Sequence, residues 1–449
     1  MRSPLLPPKL SRRDWLGATS GSLLSGSLLD GTLLGGLSGW LRALAAADRP
    51  AGGRKRSCLL LWMNGGPSQT DTFDMKPGHA HGGPFRPIAT RTTGISISEH
   101  FRGLATWSDR LAVVRSMSTR EGDHGRARLN LRTGYFPQSS IQFPVLGSLV
   151  SKESGRTAGD LPNYVSILPA GLFGPGSPPA GFLGPGYAPL LVGREREGVD
   201  EGQPLTVENL ALPAGVSNDD ARARLDLLRR TEESFLSRRA GLAANEHRNA
   251  YEKASRLMSR SAAKVFDLAD EPAAIRERYG RSQFGQGCLL ARRMLERQVP
   301  FVEVSLSGWD THEDNFNRVR DLSTVLDKAW SALMQDLHER GLLDSTLVVW
   351  MGEFGRTPGI NPQQGRDHYP KAWSVVLGGG GIRGGQVVGR TSADGMAVED
   401  RPVSTPDLLA TICLALDLDP RKQNMSNVGR PIRLVDPVAK PIREILTIA

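Results

Sequence analysis

Cysteine is scarce in this chain of 449 residues, which has three, all far apart and in apolar surroundings: Cys58, Cys288 and Cys413. Without a C-x-x-C pair, neither a zinc ribbon nor a disulfide framework is supported. Buried thiols in odd number are typical of a protein that folds in a reducing compartment. The sequence also lacks an internal repeat, and its 51 glycines and 30 prolines follow no strict period. A collagen-like structure is therefore excluded, and long, turn-rich loops are expected instead.

Basic residues exceed acidic ones, 56 against 47, which gives a net charge of +9. Such an excess can indicate a nucleic-acid-binding protein. However, residues 1–47 hold five of the basic residues and two of the acidic ones, and the remaining charges are interspersed without a lysine-rich arm. We therefore expect no nucleic-acid partner, because an anionic small molecule or polysaccharide suits this modest excess as well.

The first 47 residues have the pattern of an export signal. Basic residues precede SRRDWL (11–16), which resembles the twin-arginine motif with Trp15 where Phe is usual. The following Leu/Gly/Ser stretch is weakly hydrophobic and contains Asp30, so it spans a bilayer poorly, and residues 43–47 suit A-x-A cleavage. The alternatives are an amphipathic N-terminal helix or an uncleaved anchor. The twin-arginine (Tat) machinery exports proteins that have already folded, so export is compatible with cysteines that stay reduced during folding. The pattern predicts a periplasmic or extracellular protein without a membrane span after processing.

The rest of the chain alternates strand and helix patterns, and 39% hydrophobic residues provide a sizeable core. Apolar runs predict strands over 58–63, 111–114, 163–168, 299–306, 347–351 and 373–377. Helices are expected over 125–132, 221–242, 245–268, 281–297 and 314–340, and a last one from Ser404, whose hydroxyl suits an N-cap. This alternation predicts an α/β fold with a mostly parallel central sheet flanked by helices.

Residues 171–189 are too rich in glycine and proline for a strand or helix. Such a segment can be a plain surface loop, but long loops in compact domains are often functional, so contact with a substrate is the alternative.

Polar residues gather where the predicted strands end, and ligands of open α/β sheets bind beyond those ends. In chain order these residues are Asn64 and Asp71; His124, Arg126 and Arg128; Asp310 and His312; Glu353 and Arg356; and His368. Their carboxylate, amide and imidazole groups suit zinc, manganese, calcium or magnesium. Singly, each cluster is explained by a turn, a surface ion pair or a helix cap. Together they indicate one shared site that binds a divalent metal ion.

Several longer motifs carry a family resemblance. They are MNGGPSQTDTFDMKP (63–77), SMSTREGDHGRARLNLRTGYFP (116–137), GFLGPGYAPLLVG (181–193), GWDTHEDN (308–315), MGEFGRTPGIN (351–361) and GRDHYPKAWSVVLGGGGIRGG (365–385). With them the chain is identified as a member of the domain of unknown function 1501 (DUF1501) family, exported proteins related to the sulfatase and alkaline phosphatase superfamily. The resemblance implies one sulfatase-like α/β domain over 48–449, with a helical insertion around 217–297.

The resemblance also implies roles for individual residues. The metal ligands, in chain order, would be Asn64 or Asp71, the pair Asp310 and His312, then Glu353, and finally His368. Arg128 falls on the sulfatase arginine, and His124 falls where sulfatases have a Cys or Ser that becomes formylglycine. No cysteine lies in this segment, so formylglycine chemistry is not supported, and Ser118 and Thr119 are the nearby hydroxyls. His124 is left as a nucleophile, a general acid or a metal ligand, or as a cap of the helix it begins.

The resulting prediction is an exported, metal-dependent hydrolase whose substrate is an anionic ester or a sulfated or phosphorylated glycan. His124 and Arg128 are the expected catalytic residues. Arg126 and Arg356 are expected to bind the anion, because a guanidinium group matches a tetrahedral oxyanion bidentately. The alternative is a degenerate, non-catalytic member that binds a metal ion or an anionic glycan.

Overall fold

The computed structural model describes residues 55–155, 159–169, 179–194, 205–208, 210, 212–236, 251, 254–258 and 260–447. The predicted export signal therefore lies outside the described residues. The same holds for 170–178, in the glycine- and proline-rich loop, and for 237–250, in the predicted helical region.

The predicted strands are found close to their expected bounds, together with shorter ones that have no clear sequence pattern. Within the described ranges the strands are β1 Ser57–Met63, β2 Pro87–Ala89, β3 Ser96–Ser98, β4 Leu111–Met117, β5 Tyr164–Ile167, β6 Leu190–Val192, β7 Phe301–Leu306, β8 Thr346–Met351, β9 Gly355–Arg356, β10 His368–Tyr369, β11 Trp373–Gly379, β12 Gln386–Val388, β13 Arg390–Thr391, β14 Val398–Asp400, β15 Gln423–Met425 and β16 Pro431–Arg433. The additional strands have two or three residues each, too few for a recognisable alternation of apolar and polar residues.

Helices are found within the predicted spans, and in the described part of the chain three further ones, Arg102–Ala105, Leu146–Glu153 and Ala273–Tyr279, lie outside them. In the same part of the chain the helices are α1 Arg102–Ala105, α2 His124–Thr133, α3 Leu146–Glu153, α4 Asn218–Leu236, α5 Arg260–Val265, α6 Ala273–Tyr279, α7 Gln283–Glu296, α8 Asn315–Glu339 and α9 Thr405–Ala415. The predicted cap of α9 is confirmed. The Ser404 hydroxyl accepts from the Asp407 amide, and the Asp407 carboxylate accepts from the Ser404 amide, which is a capping box.

Eight strands form the central sheet, in the order β12-β4-β11-β8-β1-β7-β5-β6. β1 pairs in parallel with β7 and β8, β5 pairs in parallel with β6 and β7, and β4 pairs in parallel with β12. Only β11 in this sheet of described strands is antiparallel to its neighbours, β4 and β8. The predicted mostly parallel sheet with flanking helices is confirmed.

Both faces of the sheet are covered, as the continuous apolar run of β1 predicts. Leu59 and Leu61 point into a cluster that includes residues of α7 and α8, and Leu60 and Trp62 point into a second cluster with residues of α3 and α9. All three cysteines are buried and unpaired within the described residues. No helix among these residues is both long enough and apolar enough to cross a bilayer.

Candidate metal centre

The sheet brings the predicted polar clusters to a single edge. β1, β7 and β8 run in parallel, and so their carboxyl ends carry Gly65, Asp310 and Glu353 to the same side. His124 arrives from α2, which follows β4. His368 lies on β10, where it pairs across a short ribbon with Arg356 of β9. Residues far apart in sequence therefore meet because parallel strands end at one edge.

His124 is the first residue of α2, but it does not cap the helix. The Asp123 carboxylate does, since its Oδ1 accepts a hydrogen bond from the Arg126 amide at 3.0 Å. A carboxylate of the chain thus occupies the helix N-terminus, a position that favours negative charge. The imidazole of His124 points instead to Glu353, with Nδ1 2.7 Å from Oε1.

Glu353 is fully buried and is held by several donors on one oxygen. Its Oε1 also accepts from the Gly65 amide at 3.0 Å and lies 3.4 Å from Nε of Arg128. Burial raises the pKa of Glu353, but the hydrogen bond from His124 and the charge of Arg128 outweigh it, and the pKa is lowered overall. Glu353 is therefore an ionised carboxylate that holds the proton of His124 on Nδ1.

The other two histidines are oriented in the same way. Nδ1 of His312 lies 2.8 Å from Asp367 Oδ1, and Nδ1 of His368 lies 2.8 Å from the carbonyl oxygen of Gly122. An ionised carboxylate and a carbonyl can only accept, so both partners assign the ring proton to Nδ1. In the neutral form of each imidazole, Nε2 then presents a lone pair.

All three Nε2 atoms face the carboxylate of Asp310. His124 Nε2 lies 3.2 Å from Oδ2, while His312 and His368 lie 3.1 and 3.4 Å from Oδ1. The Nε2 atoms of His312 and His368 are themselves 3.0 Å apart. His124, Asp310 and His368 offer ligand atoms within 4.8 Å of one another.

Such a cluster of acceptors needs a cation. The buried Nε2 of His124 has no hydrogen-bond partner among the described residues, although Asp310 is close. Ligands bound at 2.0–2.1 Å to a tetrahedral zinc ion lie roughly 3.3 Å apart, close to the spacing found here. Each imidazole also donates its other N–H to a carboxylate or carbonyl, as metal-bound histidines commonly do. The donor set therefore fits a divalent metal ion.

Without a metal ion, a proton can supply part of the missing charge. Burial lowers the pKa of His124, but the nearby carboxylates of Asp310 and Glu353 outweigh this and raise it to about 9. For Asp310, partial burial raises the pKa, but contacts with His124, His368 and Arg356 hold it well below its usual range.

The predicted arginines differ in what they can reach. Arg356 is fully buried: its guanidinium donates to Asp310 Oδ1 at 2.5 Å and to the carbonyls of Gly65 and Gly66, so it holds Asp310 in place rather than facing solvent. Arg126 is exposed and pairs with Glu121. Arg128 is the predicted arginine that stands beside the histidine cluster, through Glu353.

Two predicted ligands lie outside this group of described side chains. Asn64 donates to the Ser307 hydroxyl at 3.2 Å, next to the Gly65 amide that binds Glu353. Asp71 is fully buried and forms an ion pair with Arg366. Glu353, a third predicted ligand, contacts the ring of His124 through Oε1 and so orients that histidine.

Sequence reasoning missed the residues that orient the histidines. Asp367 binds His312, and the Gly122 carbonyl binds His368. The adjacent pair Asp367-His368 was a usable signal for the carboxylate. A backbone carbonyl leaves no signal in the sequence.

The sequence profile of one family matches residues 55–446. The chain belongs to the family described as Protein of unknown function (DUF1501). Membership predicted from the motifs is thereby confirmed. No curated protein matches the sequence of this DUF1501 member.

Several solved structures are similar to this DUF1501 protein at low sequence identity. PsFucS1 sulfatase from Pseudoalteromonas sp. is 13% identical with a TM-score of 0.41, and the match covers 87% of this chain and 72% of the sulfatase. Phosphonate monoester hydrolase of Agrobacterium radiobacter is 13% identical with a TM-score of 0.39, and the match covers 82% of this chain and 75% of the hydrolase. A protein in the alkaline phosphatase superfamily from Vibrio parahaemolyticus is 12% identical with a TM-score of 0.38, and the match covers 87% of this chain and 71% of that protein. Identities this low assign none of these activities to the chain.

Proposed function

We propose that this protein is a metal-dependent hydrolase of sulfate or phosphate esters. The observation that carries the proposal is the convergence of three Nε2 lone pairs on the Asp310 carboxylate. A divalent ion bound there supplies positive charge that polarises an ester oxygen and stabilises the negative charge developing on it.

The fixed charges of the site explain why an anionic ester would need that ion. Three carboxylates, those of Asp310, Glu353 and Asp367, stand against the guanidinium groups of Arg128 and Arg356, which leaves one negative charge when the histidines are neutral. A divalent cation reverses the sign. The site then attracts a sulfate or phosphate group instead of repelling it.

Arg128 is the residue best placed to orient the ester. Only its Nε has a carboxylate partner within the described part of the chain, and its side chain is one-fifth exposed. Its terminal amino groups are therefore available to a tetrahedral oxyanion. Asp310 and His312 are nearly half exposed, so the cluster is accessible to a ligand from solvent.

The donor set also bears on the identity of the ion. Calcium and magnesium prefer oxygen ligands, whereas imidazole nitrogen suits zinc and other transition ions. The group with mutually close ligand atoms, His124, Asp310 and His368, has two imidazoles and one carboxylate, with His312 beside Asp310. This set favours zinc over calcium or magnesium, and manganese is intermediate because it also accepts carboxylates.

A non-catalytic role is the alternative, and one observation favours it. By the motif resemblance His124 falls where sulfatases have their nucleophile, and its ring contacts Glu353 on one side and faces Asp310 on the other. A protein of this kind would bind a metal ion or an anionic glycan without turnover.

The test is hydrolysis of 4-nitrophenyl sulfate and 4-nitrophenyl phosphate by the purified protein, stripped of metal and reloaded with zinc, manganese, magnesium or calcium. We expect one ester to be cleaved with one of these ions, and His368→Ala to abolish cleavage. Metal binding without turnover of either ester would favour the non-catalytic role. Turnover that persists in His368→Ala would contradict the proposed site.

We also propose that the protein is exported by the Tat route to the periplasm or beyond the cell. The proposal rests on Arg12 and Arg13 ahead of a weakly hydrophobic stretch and an A-x-A site.

A further inference from the structure

A buried ion pair joins the chain segments that carry the candidate metal ligands. Asp71 and Arg366 are both fully buried, and they pair bidentately: Asp71 Oδ2 lies 2.7 Å from Arg366 Nε, and Oδ1 lies 3.0 Å from a terminal amino group. Two fork-like hydrogen bonds between charged groups fix both distance and orientation. The pair therefore acts as a rigid connection between the segment after β1 and the segment before β10.

Arg366 extends this connection to the segments that carry the metal donors. It immediately precedes Asp367, which binds His312, and His368, which is one of the proposed metal ligands. Its guanidinium also donates to the carbonyls of Thr357, Pro358 and His81. Its backbone amide donates to the carbonyl of Thr311 at 2.9 Å.

Asp71 reaches the other donor segment through Asn315. Asn315 Nδ2 donates to Asp71 Oδ2 at 2.9 Å, and Asn315 Oδ1 lies 2.6 Å from the Thr311 hydroxyl, which donates to it. Thr311 stands between Asp310 and His312. Thr311 and Asn315 are both fully buried, so water does not compete for these bonds.

The two donor segments also touch directly. An added Cβ at Gly365 would lie 1.8 Å from the carbonyl oxygen of His312, which no side chain could tolerate. The segment with Asp310 and His312 and the segment with Asp367 and His368 are thus in backbone contact on one side and joined through Asp71 on the other.

We propose that Asp71 and Arg366 are positioning residues that set the distance between Asp310 and His312 on one segment and His368 on the other. The inference rests on the proposed metal centre and adds a role for a residue that resemblance had suggested as a ligand. Asp71 acts here through Arg366 and Asn315, and its oxygens already accept three N–H groups. Outer partners that orient metal ligands typically change metal affinity about 10–100-fold when removed.

The test uses the full chain, stripped of metal, and isothermal titration with Zn²⁺. Asp71→Asn removes the charge that pairs with Arg366. Thr311→Val is milder, because it keeps the ion pair and the side-chain shape but removes the hydroxyl that bonds to Asn315. Asp336→Asn is the matched control: Asp336 is a buried carboxylate that pairs with Arg292, and it follows Asn315 by 21 residues of α8, about 31 Å at the rise of a helix.

We expect Asp71→Asn to weaken Zn²⁺ binding about 10–100-fold, Thr311→Val to weaken it by a smaller factor, and Asp336→Asn to leave it unchanged despite a lower Tm. A folded Asp71→Asn protein with the wild-type Kd would overturn the inference. If Asp71→Asn does not fold, an unchanged Kd in Thr311→Val would overturn it. Equal weakening in Asp336→Asn would also overturn it, because the cause would then be general destabilisation. Failure of the wild type to bind Zn²⁺ would instead refute the proposed metal centre, and this inference with it.

Discussion

His124 Nε2 lies 3.2 Å from Asp310 Oδ2, while the proton of the same imidazole is on Nδ1, 2.7 Å from Glu353. Two acceptor atoms face each other in a partly buried site, an arrangement that costs free energy unless a positive charge stands between them. His312 and His368 repeat the arrangement against the other oxygen of Asp310. The same geometry accounts for the raised pKa of His124 and for the fit to a metal ion.

Metal binding should therefore release a proton. Since burial lowers the pKa of His124 but Asp310 and Glu353 raise it to about 9, the metal-free imidazole is protonated at pH 7 and must lose that proton to bind an ion. Below pH 9 the apparent association constant should rise about tenfold per pH unit from this group, and it should level off above pH 9. Calorimetry in two buffers of different ionisation enthalpy measures the released protons.

Glu353→Gln is the matched variant for this pH dependence. Gln keeps the shape of the side chain and an oxygen that accepts the His124 N–H, but it lacks the charge. We expect a lower pKa for His124, so that the rise of the association constant with pH levels off at a lower pH. Metal binding without proton release in the wild type at pH 7 would show that His124 does not take part.

The cap of α2 should contribute to stability alone. Asp123→Ala removes the acceptor of the Arg126 amide and should lower the free energy of unfolding by about 1 kcal/mol. Asp123→Asn, which still caps, should lose less. Urea unfolding measures the difference, and calorimetry should give an unchanged Kd for Zn²⁺. A higher Kd in Asp123→Ala would show that the cap also contributes to metal binding.

Gly365 should tolerate no side chain. A Cβ there would lie 1.8 Å from the His312 carbonyl oxygen, so Gly365→Ala must move one donor segment away from the other. We expect a loss of about 1–3 kcal/mol of stability, as for other overpacked sites, together with weaker metal binding. Gly359→Ala is the control, because a Cβ at 359 meets no atom within 4 Å. Equal behaviour of the two variants in urea unfolding and calorimetry would be the contrary result.

Export should depend on the paired arginines. Replacing Arg12 and Arg13 together by Lys keeps the charge but removes the twin-arginine motif, and the protein should then stay in the cytoplasm. Fractionation of cells that express a tagged chain measures this. Arg42→Lys, outside the motif, should be exported like the wild type. Undiminished export of the double variant would be evidence against the Tat route.

The sequence predicts the sheet better than it predicts the site. Continuous apolar runs such as that of β1 signal strands buried on both faces, and polar residues after them mark the ligand edge. An apolar run does not encode its direction, and so the antiparallel pairing of β11 was not foreseen. Partners far apart in sequence are equally hidden: Asp71 resembles a ligand until Arg366, 295 residues later, is seen beside it.

Burial is the other quantity that a motif does not reveal. Arg356 and Arg126 both looked like anion-binding residues, yet one is enclosed by carbonyls and Asp310 and the other lies exposed beside Glu121. Asp310, His312 and His368 could be placed together because their strands end at one edge. The orientation of their rings depends on contacts that only the fold supplies.

Titration of the metal-free protein with metal ions tests the central claim most directly. The purified full chain is treated with chelator, dialysed, and titrated with Zn²⁺ and Mn²⁺, with His124→Ala, Asp310→Asn and His368→Ala measured beside the wild type. The account predicts tight binding of an ion at one site by the wild type, zinc more tightly than manganese, and loss of that binding in each folded variant. No binding by the wild type, or binding that persists in all three variants, would contradict it.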